Sequence, residues 1–121
     1  MRHILPEANV VEQERRLTPR YSFTASAELH EEQSAASVTA RVSELSLQGC
    51  YLDMVNPFPV RAIVQIRISS SKESFQAKGK VVYVHPGIGA GVIFVEISPQ
   101  SQTVLQRWLA RAEDEQQTLI G

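Results

Sequence analysis

Short runs in which apolar and polar residues alternate constrain the fold of this chain most strongly. Between Tyr21 and Leu29 the apolar side chains fall at almost every second position. An alternation of this kind places the apolar side chains on one face of a β-strand. Further runs that alternate or are rich in β-branched and apolar residues cover 38–43, 50–54, 63–68, 75–84 and 89–97, and polar, glycine or proline residues separate them. The sequence therefore predicts six strands with no long helix between them.

Strands joined by short turns pair in an antiparallel manner, because parallel pairing needs a long crossover connection. Six such strands can close into a barrel, which removes exposed strand edges. After the last strand, Ser98 and Pro99 are typical of a helix start, and apolar residues then recur at helical spacing up to Ala112. We expect an all-β fold, a six-stranded antiparallel β-barrel followed by a C-terminal α-helix.

A chain of 121 residues has room for one domain. We assign residues 1–13 to a flexible N-terminal arm, 14–114 to the barrel with its helix, and 115–121 to a frayed tail. No run approaches the roughly 18 apolar residues of a membrane helix, and the early residues Pro6 and Glu7 interrupt any signal-peptide core. With Cys50 as its one cysteine, which we expect to be buried, the protein is predicted to be cytoplasmic, without membrane insertion.

Composition argues against several classes of function. A net charge of −1 disfavours a protein whose whole surface binds nucleic acid, and 7% aromatic residues leave a single-strand-binding barrel as a minor alternative. The histidines at 3, 30 and 85 are too scattered to predict a metal site. No nucleophile lies beside a suitable base, so we expect neither a metal, nor a cofactor, nor an enzyme, nor a nucleic-acid partner.

The densest positive charge is formed by Arg15, Arg16 and Arg20. A guanidinium presents a planar fork of donors that fits phosphate oxygens or the O6 and N7 acceptors of guanine, and it can also stack on a purine. The alternative is a solvated surface in which these arginines pair with Glu12 and Glu14. The cluster alone does not separate these interpretations.

A second feature lies between the second and third predicted strands, where Ser46 and Gly49 fall in a short polar segment. A small hydroxyl side chain and a glycine allow a ligand to approach the backbone closely. Alternatively these are ordinary turn residues, and Gly49 supplies only a positive φ.

Together the two features resemble the PilZ domain family. The spacing of Arg16 and Arg20 is similar to its RxxxR element, and Ser46 to Gly49 is similar to the SxxG part of its second element. The resemblance covers residues 14 to about 110 and includes two later pieces, Gly91-Val92-Ile93-Phe94 and Ile97-Ser98-Pro99. It implies a six-stranded barrel that binds the bacterial second messenger cyclic di-GMP.

The resemblance also implies roles for individual residues. Arg16 and Arg20 would hold phosphates and guanine edges, while Ser46 and Gly49 would line the barrel face. Arg15 occupies a position linked in the family to nucleotide number, and an arginine there favours two stacked nucleotides. Ligand binding would order the arginine segment and signal to a protein partner in the motility, pilus or exopolysaccharide machinery, with a homodimer as an alternative to a monomer.

We place Ser43 at the acidic or amide position that begins the family's second element, and we count it among the ligand-binding residues. A serine hydroxyl is shorter than a carboxylate, neutral, and a weaker acceptor. The alternative function is therefore a PilZ-like adaptor that does not bind nucleotide and acts through protein contacts.

Overall fold

The computed structural model describes residues 19–120 and, within that range, the side chains up to residue 116. Six strands are followed by one helix, as the alternation predicted. In chain order they are β1 (Tyr21–Glu31), β2 (Ser37–Leu45), β3 (Gly49–Asp53), β4 (Ile63–Ser70), β5 (Glu73–His85), β6 (Gly89–Ile97) and α1 (Pro99–Ile120).

The six strands form a closed barrel in the order β1-β2-β3-β6-β5-β4, in which β4 returns to β1. Every pairing is antiparallel. The predicted antiparallel β-barrel with a C-terminal helix is therefore confirmed. Two of the pairings, β1 with β4 and β3 with β6, join strands that are distant in sequence.

The barrel interior contains the apolar half of each alternation. Strands β2, β3 and β4 contribute Val42, Leu52 and Ile66, each at most 2% exposed. The largest fully buried residue of β5 is Phe75, and its ring lies 4.8 Å from that of Phe94 between centroids. Cys50 is buried as well, and burial raises the pKa of its thiol to about 12, as expected for an unreactive core cysteine.

Within residues 19–120 the strand pairings contain four register shifts, and two of them, an extra residue in β2 and one in β5, determine which side chains face outward near the later strand ends. Val42 pairs with Leu52 and Glu44 with Tyr51, so Ser43 is an extra residue in β2. Val81 pairs with Val92 and Tyr83 with Gly91, so Val82 is an extra residue in β5. A bulge shifts the following side chains to the opposite face of the sheet. Leu45 is consequently buried, and Glu44 remains on the outer surface.

The helix begins as expected, because the Ser98 Oγ accepts a hydrogen bond from the Ser101 N–H at 3.2 Å. It packs on β1 and β5 through Trp108, whose ring centroid lies 5.2 Å from that of Phe23. The helix continues to Ile120, through residues that the sequence analysis placed in a frayed tail. Glu115 and Gln116 are exposed there, and both residue types favour helix without needing core contacts. None of the helical structure among residues 19–120 has the length and apolar content that a membrane span requires.

Glu73, the first residue of β5, connects the barrel to the helix. Its carboxylate accepts a hydrogen bond from the Trp108 Nε1–H at 3.0 Å and another from Arg107, and it lies 3.7 Å from Arg111. The Arg107 hydrogen bond, assisted by Trp108 and by the charges of both arginines, lowers the pKa of Glu73 despite partial desolvation. The ionised form of Glu73 is therefore stabilised by folding.

Thermal stability is expected to fall on acidification because of Glu73 and of Glu31, another glutamate with a lowered pKa. Hydrogen bonds from the Ser34 side chain and from the Ser34 and Gln33 amides lower the pKa of Glu31. A carboxyl whose pKa is lowered by folding stabilises the native state above its unfolded pKa, and this stabilisation is lost as pH falls through the folded pKa. Both effects therefore operate below the ordinary glutamate value of 4.5.

Thermal unfolding followed by circular dichroism from about pH 6 to pH 3 tests this expectation. The melting temperature should decline mainly below the ordinary glutamate pKa, and Glu73→Gln should decline less steeply than the wild type. A Glu73→Gln profile parallel to that of the wild type would mean that Glu73 does not contribute to the pH dependence.

Candidate functional site

A cleft on the outer surface of the barrel crosses β2, β3, β5 and β6. We call it the outer cleft, and it is lined by Arg20, Glu44, Gln48, Tyr51, Val82, Tyr83 and Ile93. Ser46 and Gly49 line one part of it, and Ser43 and His85 line the adjoining part. All the predicted site residues within residues 19–120 therefore lie along this surface. Arg15 and Arg16 lie outside the described residues.

Arg20 and Glu44 provide the opposite charges of the cleft. The Arg20 Nη1 lies 3.7 Å from the Glu44 Oε1, and the two side chains are 47% and 48% exposed. Ion pairs at this exposure contribute little to stability, since water screens them. Either group is therefore free to exchange its partner for a polar or charged ligand at low energetic cost.

Ser46 shapes the turn between β2 and β3. Its Oγ accepts hydrogen bonds from the amides of Gln48 at 3.2 Å and Gly49 at 3.1 Å, and it donates to the Gly49 carbonyl at 3.3 Å. A hydroxyl has one donor and two acceptor sites, so these three contacts use its full capacity. Ser46 consequently acts on the cleft through the conformation of the turn.

Gly49 is required for close packing. Its φ is not positive, and Gly87 is the one described glycine that has a positive φ. A Cβ at position 49 would instead clash with the carbonyl oxygen of Val92 on the neighbouring strand β6. The interpretation that Gly49 supplies a positive φ is therefore wrong, and the glycine allows β3 and β6 to approach each other beneath the cleft.

Glu44, and not Ser43, stands at the first position of the second element that the chain resembles, and its carboxylate lies one methylene farther from the backbone than that of the Asp in the pattern. In the pattern Asp/Asn-x-Ser-x-x-Gly a single residue separates the first position from the serine, so counting back from Ser46 leads to Glu44. The assignment to Ser43 was wrong by one residue. Ser43 is the bulge residue of β2, and its hydroxyl donates to the Asp53 Oδ1 at 3.1 Å. A carboxylate is therefore present where a serine was assumed.

Tyr51, Tyr83 and His85 form an aromatic cluster in the outer cleft that the sequence analysis did not identify. The Tyr51 hydroxyl and the His85 Nδ1 share a hydrogen bond of 2.9 Å. Burial raises the pKa of the Tyr51 hydroxyl, and the neighbouring Tyr83, Asp53 and Glu44 add to the rise. The hydroxyl is therefore protonated at neutral pH and can donate to the imidazole.

Strict alternation along β5 would have placed Tyr83 inside the barrel, on the same face as Phe75 and Val81. The bulge at Val82 places it outside. A signal for the cluster is nevertheless present in the sequence, because Gly89 and Gly91 occupy alternate positions of β6. Glycines spaced in this way leave room on a sheet for large side chains from adjacent strands.

The described residues contain no group of three or more histidine, cysteine, aspartate or glutamate side chains that could hold a metal ion. The residues that line the outer cleft present a guanidinium, a carboxylate, turn amides and aromatic rings. Such a set of groups is chemically suited to a polar, planar ligand that carries negative charge.

Several solved structures share this fold, and three of them are compared with the chain. The PilZ domain of YcgR from Escherichia coli, solved with c-di-GMP, has a TM-score of 0.68 at 17% identity and covers 88% of this chain and 97% of its own. The PilZ domain of CeSA from a cellulose-synthesizing bacterium has a TM-score of 0.60 at 20% identity, covering 74% and 92%. The inhibitor of motility MotI/DgrA of Bacillus subtilis has a TM-score of 0.67 at 13% identity, covering 83% and 52%. At these identities the likeness shows a common fold.

No curated protein matches the sequence of this chain. The family comparison is more direct, because the PilZ domain family matches residues 14–111. This range begins just before the arginine cluster and ends within α1. It contains the whole barrel and every residue of the outer cleft. The chain belongs to the PilZ domain family.

Proposed function

We propose that this domain is a receptor for cyclic di-GMP, which binds in the outer cleft. The observation that carries the proposal is the convergence of the two family elements on one surface, where Arg20 and Glu44 lie beside the turn held by Ser46. The YcgR domain described above was solved with this ligand, which supports the same ligand class here. A receptor of this kind is a binding module, and no catalytic step is assigned to it.

The ligand chemistry fits the charged pair. The Arg20 guanidinium can exchange Glu44 for a phosphate or a guanine edge, because the pair is half exposed and only weakly stabilised. The Glu44 carboxylate then becomes available to accept hydrogen bonds from guanine N1–H and N2–H, or to orient the arginine. The adaptor alternative depended on a missing acidic group, and the Glu44 carboxylate, on a side chain one methylene longer than Asp, weakens that argument.

Arg15 and Arg16 belong to the same proposal. With Arg20 they would supply three guanidiniums, enough for two phosphates and a stacked guanine. We propose that the ligand orders this segment against the barrel and thereby presents a new surface to a protein partner, and that two stacked nucleotides occupy the site. Hydrogen exchange of the segment with and without ligand tests the ordering, and calorimetric stoichiometry tests the nucleotide number.

The receptor proposal is tested by calorimetric titration of cyclic di-GMP into the wild type, Arg20→Ala and Arg67→Ala. Arg67 is also an exposed arginine, but it lies on β4 outside the outer cleft, so it is the matched control. We expect Arg20→Ala to weaken binding about 10- to 100-fold, since a charge-assisted hydrogen bond is lost, and Arg67→Ala to leave it unchanged. Absence of binding to the wild type, or equal affinities for all three, would contradict the proposal and favour the adaptor.

A further inference from the structure

We propose that Tyr51, Tyr83 and His85 form a purine-stacking platform that contributes one wall of the ligand site. The platform lies in the same cleft as Arg20 and Glu44, so a nucleotide held by the charged pair would have an aromatic surface within the same site. The identity of the nucleotide rests on the proposed function. The stacking role rests on the geometry of the rings.

The three rings pack against one another at an angle, so a purine can lie flat on one ring and contact the edge of the next. The centroids of Tyr51 and Tyr83 are 6.2 Å apart with an interplanar angle of 32°, and those of Tyr83 and His85 are 5.2 Å apart with an angle of 47°. The hydrogen bond of 2.9 Å between Tyr51 and His85 fixes the outer pair relative to each other. The platform is thus ordered before any ligand arrives, which reduces the entropy cost of binding.

Two glycines of β6 leave room for the rings of Tyr51 and Tyr83. A Cβ on Gly91 would clash with the Tyr83 ring, and a Cβ on Gly89 would lie 2.7 Å from the Tyr51 hydroxyl. Each ring therefore occupies the space directly above a glycine backbone, and both rings also line the open cleft. Both tyrosines are only partly buried, so some of their surface remains accessible to a ligand.

The charge distribution favours a nucleotide over an apolar ligand. Arg20 lies at the same cleft, and a guanidinium is a favoured partner of phosphate because its fork of donors fits two phosphate oxygens. Base stacking on tyrosine or histidine tolerates any purine because every base has a π-face. The platform and the charged pair therefore contribute differently to binding. Stacking on the platform supplies affinity, and hydrogen bonds to Glu44 and Arg20 select guanine.

The platform is tested with Tyr83→Ala, Tyr83→Phe and the control Ile88→Ala, each titrated with cyclic di-GMP. Ile88 is 65% exposed and lies outside the outer cleft. We expect about a 5- to 100-fold loss of affinity in Tyr83→Ala, while Tyr83→Phe keeps the ring and the control keeps wild-type affinity. Circular dichroism and melting temperature establish that each variant is folded.

A second variant, Gly91→Ala, displaces the Tyr83 ring without removing it, and it should weaken binding as Tyr83→Ala does. If Arg20→Ala weakens binding while Tyr83→Ala and Gly91→Ala do not, the platform is overturned and the receptor proposal stands.

Proton NMR with 5′-GMP as a mononucleotide probe gives a separate readout if cyclic di-GMP does not bind the wild type. Upfield shifts of the Tyr51 and Tyr83 ring protons, absent for Tyr21, would support stacking even though the proposed ligand had failed. Unchanged ring shifts on GMP addition would overturn the platform.

Discussion

Replacing Trp108 by alanine is expected to destabilise the protein by about 3–5 kcal/mol, the range for the loss of a fully buried aromatic side chain. Trp108 is 1% exposed and packs between Phe23 and Phe75, with ring centroids 5.2 Å and 6.4 Å away. The substitution removes these contacts, leaves a cavity between α1 and the barrel, and deprives Glu73 of its indole donor. Urea denaturation at neutral pH measures the loss.

Trp108→Phe separates packing from the indole hydrogen bond. It retains an aromatic ring in the cluster, and Glu73 keeps its contacts with Arg107 and Arg111, so a clearly smaller loss is expected. Because a domain of this kind has only about 5–15 kcal/mol of total stability, the alanine variant should also lose resistance to proteolysis. A change in unfolding free energy below about 1 kcal/mol for Trp108→Ala would mean that helix docking does not depend on this residue.

The second large effect is expected for Gly49→Ala, although it adds only one methyl group. The new Cβ would meet the Val92 carbonyl, which is backbone and can move only if β3 and β6 separate. Overpacking of this type costs about 1–3 kcal/mol and more where the backbone cannot yield, so we expect a value at the upper end. The same displacement would disturb the Ser46 turn and weaken ligand binding in the outer cleft.

Gly87→Ala is the matched control for this prediction. Gly87 has a φ of 77°, but no atom lies within 4 Å of a Cβ placed there. Only the backbone conformation is unfavourable in this case, at a cost of about 1–2 kcal/mol, and the cleft is untouched. A larger loss for Gly87→Ala than for Gly49→Ala, measured by urea denaturation, would show that the close approach of β3 and β6 tolerates a side chain.

The barrel and its helix could be predicted from the sequence because alternation and capping are local signals. Val42, Leu52 and Ile66 occupy the interior as their period indicates, and Ser98 caps the helix as its position before Pro99 suggests. Antiparallel pairing of consecutive strands followed from the short turns, and closure was expected because it removes exposed strand edges.

The arrangement of the site was harder to predict from the sequence, because it depends on the bulges in β2 and β5. Strict alternation along β2 would place the Glu44 side chain inside the barrel, whereas the extra residue Ser43 keeps it on the outer surface. The same reasoning places Tyr83 inside along β5, where Val82 has the corresponding effect. A bulge depends on the register of the partner strand, which one strand's sequence does not contain. The charged and aromatic parts of the outer cleft were therefore only partly predictable.

Closure of the barrel limits how this domain can recognise another protein. Each described strand already has neighbours on both sides, from β1 to β4 around the ring. A partner peptide therefore finds no strand with a free edge along its full length, which disfavours strand addition, a common mode of protein recognition. We expect a partner to contact side chains on the outer surface, the turns or the helix instead. A ligand that alters those surfaces would then change which partner binds without remodelling the barrel.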